Sequence, residues 1–149
     1  MRLWHTKLIN VLPKEQLVAQ WRELSAIAGA IQKNGTPNHL LVNFVLDYDR
    51  VHFISYAYYI RQEMTRRGYR TMNSVWDKIT SVAEEYTDLD SYDILPLDEV
   101  YKEKMDKTYL KICYFNLKEK YMCGGINKEI FFAITNRMKE EDFSLDEVL

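Results

Sequence analysis

Turn-forming residues are scarce in this chain of 149 residues, which holds five glycines and three prolines. Such a chain has few places to reverse direction tightly, so it favours helices joined at a small number of breaks. Between the breaks, apolar residues recur at the spacing of one helix face. Leu12-Pro13 reads as a helix start, with Pro13 at the first helical position. Leu17, Trp21, Leu24, Ala28 and Ile31 form its inner stripe, and Asn34-Gly35-Thr36-Pro37 ends it. A short apolar segment, His39–Leu46, follows. Asp49 then caps a second helix carrying Phe53, Ala57, Ile60 and Met64 inward, with Gly68 closing it. Ser74-x-x-Asp77 resembles a capping box and opens a third helix toward Tyr86. Asp88–Pro96 is an acidic loop, and Asp98 to about Tyr121 reads as a fourth helix rich in lysine. Cys123-Gly124-Gly125 is a break, and Asn127 caps a fifth helix through Lys139. Phe143–Leu149 is a polar tail. The β-branched run Val42–Val45 is too short to build a sheet. The expectation is an all-α fold, a compact bundle of about four to five helices in a single domain over residues 1–149.

Hydrophobic residues make up 47% and charged residues 28%, an ordinary balance for a soluble globular protein. No stretch is long and apolar enough to span a bilayer. The first seven residues contain no apolar core of a secretory signal, so the chain is expected to stay in the cytoplasm, away from membranes. Two cysteines, Cys113 and Cys123, are too few for a disulfide framework, and neither belongs to a zinc-like spacing. The net charge of −2 hides an asymmetry. Residues 1–70 carry ten Lys/Arg against five Asp/Glu, and the remainder carry ten against seventeen. A locally basic half is what a phosphate backbone meets, whatever the global balance.

Few residues announce chemistry. No Ser/His/Asp order, phosphate-binding loop or dinucleotide fingerprint is present. The three histidines, His5, His39 and His52, are scattered. Eleven tyrosines and three tryptophans suit base stacking and suit a helical core equally well. On the first helix, Glu23 stands beside the inner stripe among Gln16, Ala19, Ala26 and Ala30. A carboxylate among small residues is a place a ligand can approach closely. A solvated glutamate beside helix-favouring alanines fits the same pattern.

Longer-range matches narrow the choice. The chain opens Arg2-Leu3, continues with Leu12 through Gln16-Leu17 and then Trp21-Arg22-Glu23-Leu24, and reaches Gly29-Ala30 with Lys33. The run Lys33-Asn34-Gly35-Thr36-Pro37-Asn38-His39-Leu40-Leu41 and the later Arg66-Arg67-Gly68-Tyr69 complete the pattern. Over roughly residues 1–70 this resembles the endonuclease V-like family of pyrimidine dimer DNA glycosylases. Tyr109–Tyr121 only loosely resembles that family's C-terminal DNA-contacting segment. The resemblance implies a small helical fold acting on damaged double-stranded DNA, with no cofactor and no metal. It implies a glycosylase and AP-lyase reaction through a Schiff base on the N-terminal amine. Carried over, the catalytic positions are Met1 and Glu23. The DNA-binding positions are Arg2, Arg22, Lys33, Arg66, Arg67 and Arg70.

The implied chemistry is physically sound. Alpha-amines as a class titrate near 7.7–8.0, against about 10.4 for lysine, so a useful fraction is nucleophilic at neutral pH. A nearby carboxylate can abstract the proton for elimination or stabilise a cationic sugar. The chain departs from the family at three places. Arg2 is bulky enough to keep Met1 from being removed, so Met1 itself would be the nucleophile. Ala26 stands where the family has a second arginine, and Gln16 where it has a histidine. Fewer phosphate contacts imply weaker DNA binding or a different lesion. Two other readings fit the residues: a nucleic-acid-binding module without chemistry, or a partner-binding protein using the acidic segments Asp88–Asp98 and Glu140–Glu147.

Overall fold

The computed structural model describes residues 1–84 and 94–144. Five helices run α1 Lys14–Asn34, α2 Arg50–Arg66, α3 Asn73–Glu84, α4 Lys107–Met122 and α5 Lys128–Glu140. Three short 3-10 turns, Thr6–Val11, Asn43–Asp47 and Leu97–Glu99, join or precede them. No strand occurs among the described residues, so the all-α expectation holds. No helix of the described residues is long and apolar enough to cross a membrane. Helices α1, α2 and α3 pack on one another, α4 packs on α5, and the first 3-10 turn sits between α5 and α2.

The N-terminal segment therefore runs through the interior. Leu3, Trp4, His5, Thr6, Leu8, Ile9 and Leu12 are all buried. The inner stripes are placed as their spacing predicts: Leu17, Trp21, Leu24 and Ala28 on α1, and Phe53, Ala57, Ile60 and Met64 on α2, face the core. Ile31 is partly buried against it.

Most helix ends follow local chemistry. Gly35, at φ 74°, ends α1 in the left-handed region, its N–H donating to the Ile31 carbonyl at 2.8 Å. Asp49 caps α2 by accepting from Val51 N–H at 2.9 Å, and Asn127 caps α5 by accepting from Ile130 N–H at 2.8 Å. Pro13 falls one place outside the expected position, in the cap before Lys14. Ser74 lies inside α3, which starts at Asn73, so it does not serve as that helix's cap. Tyr86 and residues 88–93 of the acidic loop lie outside the described residues, as do residues 145–149 of the tail. Phe143 in that tail is buried, its N–H donating to the Met138 carbonyl at 3.1 Å.

The fourth helix is the largest departure. It starts at Lys107 instead of Asp98, because Tyr101 takes φ 50°, which no right-handed helix tolerates. Tyr101 is held there by burial. Its ring stacks on His52 and meets Phe44 and Tyr48 edge-on, and its N–H donates to His52 Nδ1 at 3.0 Å. Asp106 then caps α4 by accepting from Tyr109 N–H at 2.8 Å.

Two of these contacts set a pH response. His5 Nδ1 accepts from Lys7 N–H at 3.1 Å, and His52 Nδ1 accepts from Tyr101, so both rings must be neutral in the fold. Burial is the leading cause that lowers both rings below the ordinary histidine value of about 6.5. The unfolded chain then binds more protons below that value. Melting temperature should accordingly hold level above about pH 6.5 and fall progressively on acidification below it. Calorimetry between pH 8 and 5 reads this directly, and a flat profile would contradict it.

Candidate active site

Residues 2–4 belong to no helix, so their buried backbone groups need side-chain partners. Three helices supply them. On α1, Gln20 is fully buried; its Oε1 accepts from Trp4 N–H at 2.8 Å and its Nε2 donates to the Arg2 carbonyl at 2.9 Å. On α2, the buried Tyr56 hydroxyl donates to the Trp4 carbonyl at 2.6 Å, with Gln20 Oε1 a second acceptor at 2.9 Å. On α4, the Tyr109 hydroxyl donates to the Leu3 carbonyl. Burial pushes both phenols well above the ordinary tyrosine value, so they remain donors at any physiological pH.

The pinned segment delivers its free end to a cleft of about 510 Å³. It is lined by Met1, Arg2 and Trp4 of the N-terminal segment, by Glu15, Gln16, Ala19, Arg22 and Glu23 of α1, and by Asn116 and Lys120 of α4. Gln16, Ala19 and Glu23 are stacked on one face of α1 by their spacing. Ala19 leaves the approach open, whereas Ala26 and Ala30 do not line the cleft. Met1 is 46% exposed and lines the cleft.

Glu23 is half-buried, and burial raises its carboxyl above the ordinary range. The N-terminal amine, Arg22 and His39 oppose that shift by their charge. The amine and the carboxyl group are thus close enough for their charges to interact. Gln20 Nε2 also donates to Glu23 Oε2 at 3.0 Å. The Arg2 guanidinium lies over the Trp4 ring, 5.9 Å from its centroid.

The remaining expected residues are elsewhere. Lys33 is exposed in the last turn of α1, and Arg70 is exposed beyond α2; neither lines the cleft. Arg66 and Arg67 converge on the buried Glu63. Burial works to raise that carboxyl, and hydrogen bonds from both arginines outweigh it and hold it low. Arg67 also donates to the Leu12 carbonyl at 2.7 Å and the Asn10 carbonyl at 3.3 Å. Its guanidinium ties α2 to the N-terminal segment. Arg66 lines a separate hollow of about 350 Å³ with Lys7 and Arg137.

Gln20, Tyr56, Tyr109, Asn116 and Lys120 were not singled out by motif. A buried glutamine one turn before Glu23 carries no signal of its own in a single sequence. Asn116 and Lys120 share a helix face, but nothing in their spacing says which surface they oppose.

The family model for pyrimidine dimer DNA glycosylases matches residues 1–77. That is just over half of the chain, and the chain belongs to this family. No curated protein and no solved structure matches it. The matched region holds Met1, Arg2, Gln20, Arg22, Glu23 and Tyr56. The α4 wall of the cleft, with Tyr109, Asn116 and Lys120, lies outside it.

The placement separates two kinds of cationic side chain. Arg22→Ala and Lys120→Ala should each weaken binding to duplex DNA and lower the slope of log K against log salt by about 1, with stability nearly unchanged. Arg67→Ala should instead destabilise the fold by about 2 kcal/mol, since Glu63 and two backbone carbonyls lose a charged donor. Salt-dependent binding titrations and urea midpoints distinguish the two outcomes.

Proposed function

We propose that the chain is a DNA glycosylase with AP-lyase activity on pyrimidine dimers or related lesions, working through a Schiff base on the Met1 amine. The observation that carries this reading is the shared cleft: it is lined by Met1, whose α-amine interacts by charge with the half-buried Glu23 carboxyl, together with Arg22 and Lys120.

In this reading the Met1 nitrogen lone pair attacks C1′ of the damaged nucleotide. The glycosidic bond breaks and the pyrimidine leaves its sugar with the bonding electrons, taking up a proton. Ring opening at C1′ gives an iminium between the amine and the sugar. Glu23 removes a C2′ proton, the electrons shift to expel the 3′ phosphate, and the strand is nicked. Water then hydrolyses the iminium and frees the amine. The Glu23 carboxylate also offsets the iminium charge while it persists. The lesion must leave the stack to reach the cleft, which costs a few kcal/mol and is cheapest at a damaged pair. Arg2, Arg22 and Lys120 hold phosphates beside the lesion, while Lys33, Arg66 and Arg70 serve flanking phosphates from outside the cleft.

Reductive trapping is the decisive experiment. Untagged protein, duplex DNA with an abasic site or a cyclobutane dimer, and borohydride should yield a covalent adduct that peptide mapping places on Met1. A chain extended at its N-terminus should yield none. No adduct from protein whose free amine is verified by mass would leave a binding module without chemistry.

Glu23→Gln should keep DNA affinity and lower nicking by a factor of about 10² to 10⁴. Glu23 must be ionised to accept the proton, and burial raises it, so the acid limb of nicking should lie above the ordinary glutamate value of about 4.3. Retained nicking in Glu23→Gln, or an acid limb at or below that value, would remove Glu23 from this role.

A further inference from the structure

We propose that Gln20 is the positioning residue of this site: its carboxamide ties the Glu23 carboxylate to the backbone of residues 2–4, so one buried group sets the base against the amine. The proposal rests on the amine-and-carboxylate reading and adds to it the part that holds the two in register.

The bonding around Gln20 admits one orientation. Trp4 N–H is a donor, so it must face Oε1, which turns Nε2 toward the Arg2 carbonyl and Glu23. One amide proton goes to each acceptor, at 2.9 Å and 3.0 Å, and Oε1 accepts from Trp4 N–H and lies within reach of the one Tyr56 hydroxyl proton, which it shares with the Trp4 carbonyl. Both amide protons and the amide oxygen are therefore engaged. Gln20 is fully buried and does not line the cleft, so it does not touch a substrate there. It acts through two neighbours. The Arg2 carbonyl is one residue from the Met1 amine, and the Glu23 bond restrains a side chain otherwise half free. A displacement of about 1 Å between reacting groups costs on the order of 100-fold in rate.

Gln20→Glu tests this with almost no change of volume. The variant keeps an oxygen for Trp4 N–H and Tyr56, and replaces the donating nitrogen by an oxygen facing Glu23. Two carboxyls about 3 Å apart share a proton, which drives the pair's ionisation upward. Single-turnover nicking of abasic-site DNA should fall about 10- to 100-fold in kcat with KM little changed, and the acid limb should move up by about one pH unit or more. Gln20→Met should show the same fall in kcat.

A purely structural glutamine would lower the melting temperature and leave the kcat and pH limb of the folded protein as in wild type; that result overturns the proposal. Should both variants fail to fold, wild-type protein still decides. The Gln20 side-chain amide resonances should titrate with the Glu23 carboxyl, and an amide that ignores that ionisation overturns the assignment. Wild-type protein that forms no borohydride adduct sinks the underlying activity, and this proposal with it. A wild-type adduct with unaffected variants sinks the role of Gln20 alone.

Discussion

Residues 2–4 enter the interior outside any helix, and a buried backbone without helix or sheet partners must be satisfied by side chains or it will not stay buried. Gln20, Tyr56 and Tyr109 meet that demand from α1, α2 and α4. The arrangement has two consequences. It ties three helices to one segment, and burial of that segment begins at Leu3. Met1 is left exposed, lining the cleft that Glu23 also lines. A terminal amine is ordinarily among the most mobile groups of a protein. Here its neighbours are among the most constrained.

The electrostatics follow from that placement. The chain as a whole is slightly acidic, with a net charge of −2. Around the cleft, however, the amine, Arg2, Arg22 and Lys120 outnumber Glu15 and Glu23. Binding of a polyanion depends on this local excess. Arg66 and Arg67 both pair with the buried Glu63, but Arg66 does so from an exposed position, whereas Arg67 is largely covered and also binds the Leu12 and Asn10 carbonyls. Of two adjacent arginines, therefore, one is committed to the fold and the other still presents charge at the surface.

Helix positions were readable wherever local chemistry decides them. Gly35, Asp49 and Asn127 end or cap helices through bonds within a few residues, and such bonds depend little on the rest of the fold. The fourth helix was misread because its start is set by a distant partner. Tyr101 is driven to positive φ by packing against Phe44, Tyr48 and His52, some fifty residues away in sequence. Ser74 carried a capping pattern without serving as the cap. The site divided in the same manner. Met1, Arg2, Arg22 and Glu23 were found through a family pattern confined to the N-terminal half, whereas Asn116 and Lys120 come from a helix beyond it.

The all-helical class, the inner stripes of α1 and α2 and most helix ends were legible from the residues alone, because periodicity and capping are local properties. It also carried the family through the opening segment and the Arg22-Glu23 pair. Packing decided that Gln20 is buried with bonds to both the Arg2 carbonyl and Glu23, that α4 lines the cleft, and that Arg67 ties α2 to the N-terminal segment. Those facts depend on which helix faces meet. Meeting is settled by the joint packing of segments more than a hundred residues apart, as between Tyr109 and Leu3, and no window of sequence contains it.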